Sequence, residues 1–82
     1  MEKNDIKNGL KEFLVSDLGV DGDSLNFDTA LFGAGPVGLD SIDSLEIISY
    51  VDGEYHVNMT GVGKEHFFSI DTIAEYIASH LA

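Results

Sequence analysis

Four groups of residues in this 82-residue chain are of types that do chemistry. Gly33-Ala34-Gly35-Pro36-Val37-Gly38 has the GxGxxG spacing of a dinucleotide-binding turn. Such a turn needs a strand before it, a helix opening within it, and backbone N–H groups aimed at a pyrophosphate. Pro36 removes one donor and the next helical pattern starts only after Leu39, so the run reads as a Gly-rich loop. Asp17, Asp21, Gly22 and Asp28 stand where a calcium loop has its positions 1, 5, 6 and 12. Gly19 and Leu25 fill positions 3 and 9, and Asp28 is shorter than the bidentate Glu such a loop requires. Weak divalent binding at Asp17, Asp21 and Asp28 is the most this pattern supports, and no dedicated metal site is expected. His56, His66 and His80 lack ligand spacing and have no cysteine to join. Ser41 and Ser44 have no G-x-S-x-G elbow and no evident base and orienter.

A fifth segment, Gly38-Leu39-Asp40-Ser41-Ile42-Asp43-Ser44-Leu45-Glu46, follows a long loop and opens an acidic helix. It puts the Ser41 hydroxyl at a helix N-terminus, where the dipole and N–H groups favour a negative group. A phosphodiester formed there would be accommodated, and the glycines before it leave room for another protein to approach. On these residues alone, the plainer reading is that Ser41 merely starts the helix.

The elements around this segment follow from periodicity. Residues 5–18 form an amphipathic helix with Ile6, Leu10, Phe13 and Leu14 on one face and Gly19 as its stop. Lys3, Lys7 and Lys11 make a stripe at i, i+4 spacing, which reads as a solvated face. Residues 19–40 form a long loop rich in Asp and Gly, with Leu25, Phe27, Leu31 and Phe32 pinning it to the core. The second helix spans 41–55, with Asp40 as N-cap and Asp43 suited to the positive helix end. Ile47, Ile48, Val51 and Tyr55 make its buried arc, while Ile42, Asp43, Glu46, Ser49, Tyr50, Gly53 and Glu54 lie on the other side. His56-Val57-Asn58-Met59 is compatible with a short strand, and 61–68 with one or two helical turns. Ser69 caps a closing helix whose face is Ile70, Ile73, Ala74, Ile77 and Leu81. The fold class is therefore all-α, a small bundle forming one domain over residues 1–82.

Composition narrows the function classes. Fifteen acids against four lysines and no arginine give a net charge of −11. Arginine is the usual reader of phosphates and base edges, so neither nucleic acid nor an anionic membrane surface is an expected partner. The apolar share of 44% is too high for a disordered chain. No apolar run reaches membrane-spanning length, and Met1-Glu2-Lys3-Asn4-Asp5 does not start like a signal peptide, so a cytoplasmic monomer without membrane insertion is expected. At this size a catalytic cleft is not expected either.

Taken together, Asp40-Ser41-Ile42, the acidic second helix, the amphipathic first helix, the anchored loop, the short element near 61–68 and the closing helix resemble the acyl carrier protein family. The resemblance covers most of the chain. It implies a four-helix bundle with a long first loop and a short third helix, and a carrier role rather than an enzyme. It implies that Ser41 bears 4′-phosphopantetheine, installed from coenzyme A by a phosphopantetheinyl transferase using a divalent metal. Acyl intermediates of fatty-acid, lipid or polyketide-type biosynthesis would ride on that arm as thioesters. Asp40, Ile42, Asp43 and Glu46 match positions that such carriers present to acyl-processing enzymes with basic docking patches. Asp52-Gly53 and the bulky Tyr50 depart from the family's pattern, and the Gly-Leu-Asp-Ser-Ile form of the motif looks more like that of carriers dedicated to a secondary pathway. Two other functions fit the chain less well: an acidic interaction module that is never modified, and an aminoacyl or peptidyl carrier, a class that tends to be less acidic.

Overall fold

The computed structural model describes residues 2–33, 35 and 37–81. Three α-helices carry the fold: α1 (Lys3–Asp17), α2 (Ser41–Tyr55) and α3 (Ile70–His80). Two single 3-10 turns, Gly22–Ser24 and Lys64–Phe67, sit in the connections. Among the described residues there is no strand, only an isolated bridge between Phe32 and Leu39. The expected all-α bundle is thus present, with its short third helix reduced to the 3-10 turn at Lys64–Phe67.

Helix α1 buries the four residues its period selects, Ile6, Leu10, Phe13 and Leu14. It ends where Gly19 takes a left-handed φ of 70°, which lets the Val20 N–H turn back to the Leu14 carbonyl at 3.0 Å. Its start lies at Lys3, two residues before the expected Asp5. The lysine stripe is not simply solvated. Lys3 Nζ lies 2.7 Å from Glu75 and Lys7 Nζ 2.9 Å from Asp71, so two of the three lysines face the acids of α3. The Asp71 oxygen nearest Lys7 makes no hydrogen bond of acceptable angle, so charge attraction holds that pair.

The loop between α1 and α2 is tied down by side chains and backbone alike. Leu25, Leu31 and Leu39 are buried, and Phe27 and Phe32 are half-buried against the same core. The Leu31 N–H donates to Phe68 O at 2.9 Å, the Leu39 N–H to Leu31 O at 2.8 Å, and the Asp71 N–H to Phe27 O at 2.9 Å. These bonds satisfy polar backbone that burial would otherwise strand. They also fix where the chain enters α2.

The ambiguous stretch after α2 resolves against a strand. Val57 and Met59 do alternate inward, but among the described residues there is no neighbouring strand to pair with them. Asn58 instead accepts the Thr60 N–H at 2.8 Å, closing a turn. Gly61 with φ 78° and the extended Gly63 delay helical geometry until Lys64, and Ser69 starts the next helix, so only one 3-10 turn fits between them. Ser69 and Thr72 form a reciprocal capping box, and Ile70, Ile73, Ala74 and Ile77 are fully buried.

Candidate functional site

Helix α2 opens at Ser41 because Asp40 holds its first turn. Asp40 Oδ1 accepts the N–H of Ile42 at 3.0 Å and of Asp43 at 3.2 Å, and Asp43 Oδ2 accepts the Asp40 N–H at 3.0 Å. Together these bonds satisfy three donors that a helix start leaves orphaned. They also change the electrostatics expected at Ser41. The N–H groups of Ile42 and Asp43 are occupied, and two carboxylates flank the serine, so the helix end is not an open anion site.

Ser41 itself is exposed, and its hydroxyl takes part in no side-chain hydrogen bond among the described residues. Ser44 differs. It is half-buried, and its Oγ donates to the Ser41 carbonyl at 2.6 Å. Both serines border a groove of about 580 Å³ whose walls are mainly apolar: Phe32, Leu39, Ile48, Met59, Val62, Phe67 and Phe68. Asp40 and Lys64 stand on the same groove. An exposed hydroxyl at the rim of an apolar slot suits a group that is linked through phosphate and continues as a long, largely uncharged arm.

The other residues singled out by the sequence are placed as follows. Ile42 is 68% exposed and Glu46 is exposed on the outer side of α2. Asp43, expected outward, is half-buried because its carboxylate turns back into the capping box. Ile47, Val51 and Tyr55 form the buried arc, with Ile48 only half-buried at the groove wall. Asp17 ends α1, while Asp21 caps the first 3-10 turn by accepting from Asp23 N–H and Ser24 Oγ. Among the described residues no three His, Asp or Glu side chains converge on a possible metal position. Asp17, Asp21 and Asp28 therefore do not form a shared site, nor do the histidines. His56 closes α2 in a left-handed conformation, while His66 meets the Tyr76 ring edge-on at 5.3 Å and His80 stacks on it at 4.0 Å. In the glycine run, Ala34 and Pro36 lie outside the described residues, and α2 opens at Ser41, beyond the run.

Three features went unrecognised in the sequence. Leu45 is 64% exposed, one turn from Ile42 on the same face, a neighbour the i, i+3 spacing could have supplied. Phe68 is 54% exposed beside the groove. A second, more polar hollow of about 350 Å³ lies between α1 and α2, lined by Gly9, Glu12, Phe13, Tyr50 and Glu54. There Tyr50 stacks on Phe13 at 4.2 Å, and burial first, then the hydrogen bond and charge of Tyr55 and the nearby glutamates, push its hydroxyl pKa well above the ordinary range.

Comparison with known proteins fits this geometry. The chain is 25% identical over 71 residues to the acyl carrier protein of Onion yellows phytoplasma (strain OY-M), an alignment covering 87% of this chain and 91% of the relative. No solved structure matches it significantly. The model of the family described as "Phosphopantetheine attachment site" matches residues 8–78. With most of its length inside that match, the chain belongs to the phosphopantetheine-bearing acyl carrier family, and it is a carrier with 4′-phosphopantetheine as cofactor, not an enzyme.

Proposed function

We propose that Ser41 carries the 4′-phosphopantetheine arm and that the domain holds acyl intermediates on it as thioesters, for fatty-acid, lipid or polyketide-type biosynthesis. The observation that carries this reading is the exposed Ser41 hydroxyl at the first position of α2, on the rim of an apolar groove. When bound, the arm supplies the thiol on which cargo is esterified. The protein supplies the attachment point and a slot in which apolar cargo can leave water. Burying a methylene there is worth about 0.8 kcal/mol, so even a short chain gains from it.

The outer face of α2 supports a docking role. Ile42 and Leu45 expose apolar surface beside Glu46 and the Asp40–Asp43 box. An apolar contact set among carboxylates suits partners with basic patches, since charge steers the encounter and the buried apolar contact holds it. The transferase that installs the arm and the enzymes that process the cargo would meet this face. Placement in the cytoplasm is part of the same proposal; among the described residues no helix is long and apolar enough to cross a membrane.

The test is intact mass after incubation with a broad-specificity transferase, coenzyme A and Mg²⁺. One phosphopantetheine mass is expected on the wild type and on Ser44→Ala, and none on Ser41→Ala. Loading of the Ser41→Ala protein would overturn the assignment.

A further inference from the structure

We infer that Lys64, on the second 3-10 turn, is the counter-ion of the phosphodiester on Ser41, at the start of α2. This rests on the assignment of the arm to Ser41. Three observations carry it. Lys64 is the sole base after Lys11, in a stretch where every other formal charge is a carboxylate. It borders the same groove as Ser41. Among the described residues, ion pairs join Lys3 to Glu75 and Lys7 to Asp71, and neither of them uses Lys64. Its neighbour Glu65 and the groove residue Asp40 leave its ammonium unengaged.

The site needs such a cation because α2 does not provide one. Asp40 Oδ1 already takes the Ile42 and Asp43 N–H groups, and the Asp40 and Asp43 carboxylates flank Ser41. A phosphodiester is a permanent monoanion at neutral pH. Placed between those carboxylates, it adds like charge to the most crowded end of the helix. The helix dipole offsets only part of this, since the capping carboxylates already use it. A lysine is a compact point charge on a flexible stem and binds phosphate well without a fixed fork geometry. Exposed at the rim, Lys64 can meet the phosphate while the groove walls below stay apolar. It is a positioning residue: it holds the root of the arm toward the groove instead of letting charge repulsion swing it outward.

The experiment compares apo and arm-loaded forms of the wild type, Lys64→Gln and Lys64→Arg. Melting temperature is measured in about 0.02 M and about 0.5 M NaCl, and the ³¹P resonance of each loaded protein is recorded. The quantity read is the change on loading, which cancels any general effect of the substitution. In low salt that change should be less favourable in Lys64→Gln than in wild type by about 1–8 °C, the range a rim-exposed ion pair gives a domain of this size. Lys64→Arg should behave as wild type, the gap should close in high salt, and the ³¹P resonance should move in Lys64→Gln only. Equal loading shifts in all three proteins, with intact mass showing the arm in place, would overturn this inference alone. A protein that accepts no arm would overturn it together with the assignment beneath it.

Discussion

Replacing Asp40 separates the two contributions its carboxylate makes to α2. In Asp40→Ala the Ile42 and Asp43 N–H groups lose an acceptor at 3.0 and 3.2 Å, and the capping box opens. Both donors are solvent-accessible, so water replaces part of the interaction, and the cost should be about 1 kcal/mol. For a domain of 60–100 residues that lowers the melting temperature by about 4–8 °C. Asp40→Asn keeps an amide oxygen in the same place and is an equally good cap. It gives up a charge–dipole attraction of about 0.3–1 kcal/mol but relieves repulsion from Asp43, so its net change should stay under about 3 °C. The melts would be followed by far-ultraviolet circular dichroism in 0.1 M NaCl, with amide exchange as a local readout. Exchange at Ile42 and Asp43 should quicken in Asp40→Ala and hold in Asp40→Asn. Equal destabilisation by both substitutions would mean that the charge, not the acceptor, sustains the helix start. An unchanged melt for Asp40→Ala would mean that the box is not energetically coupled to the fold.

Gly53 lies inside α2 with nothing within 4 Å of an added Cβ, so Gly53→Ala should stabilise by about 0.5–1 kcal/mol in urea melts; a lower midpoint would contradict it. Tyr50 has a folded pKa above its ordinary value near 10, so its contribution is whole below that pH and is lost as the unfolded chain ionises above it. The urea midpoint should therefore fall above about pH 10 in wild type and fall less steeply in Tyr50→Phe, whereas parallel curves would remove Tyr50 from the account. Glu46→Lys should leave stability within about 0.5 kcal/mol while slowing association with a basic partner, most strongly in low salt, and a rate indifferent to salt would count against an electrostatic dock. Added NaCl should raise the melting temperature of the apo protein by screening carboxylate repulsion. With no three carboxylates converging among the described residues, Ca²⁺ at equal ionic strength should do no better, and a clear excess would reveal cation sites outside that geometry.

Where the sequence was legible, the cues were local. Helix α2 spans 41–55 as the pattern indicates, because Asp40 both stops the extended chain and caps the helix. The apolar faces of α1 and α3 follow their period, since one continuous core lies against each, except that Leu81 falls just beyond the end of α3, extended and half-buried. The early start of α1 was not legible: Lys3 is held by Glu75, at the far end of the chain. The segment after α2 misled for a similar reason. Val57 and Met59 alternate as in a strand, yet what they satisfy is the core and not a ladder. Asp43 reads as outward by angle alone, and only its bond to the Asp40 N–H turns it inward. Lys64 was the largest omission, because its place on the same groove as Ser41 is made by the fold and no spacing encodes it.

The arrangement of charge explains why such an acidic chain can still present a defined face. Lys3 and Lys7 meet Glu75 and Asp71, so the lysine stripe of the first helix is joined to the acids of the last one. Lys3 and Glu75 are both more than half exposed, and a pair of that kind adds little stability. Its consequence is directional. Neutralising part of α3 leaves the excess negative field over the first loop and the outer side of α2, where no lysine lies. A basic partner is then drawn toward Ile42, Leu45 and Glu46 rather than toward the molecule at large. Lys64 borders the groove with Ser41, and the lining of that groove does not include Ile42, Leu45 or Glu46, so the proposed cation acts on the arm without sitting on the face that draws partners.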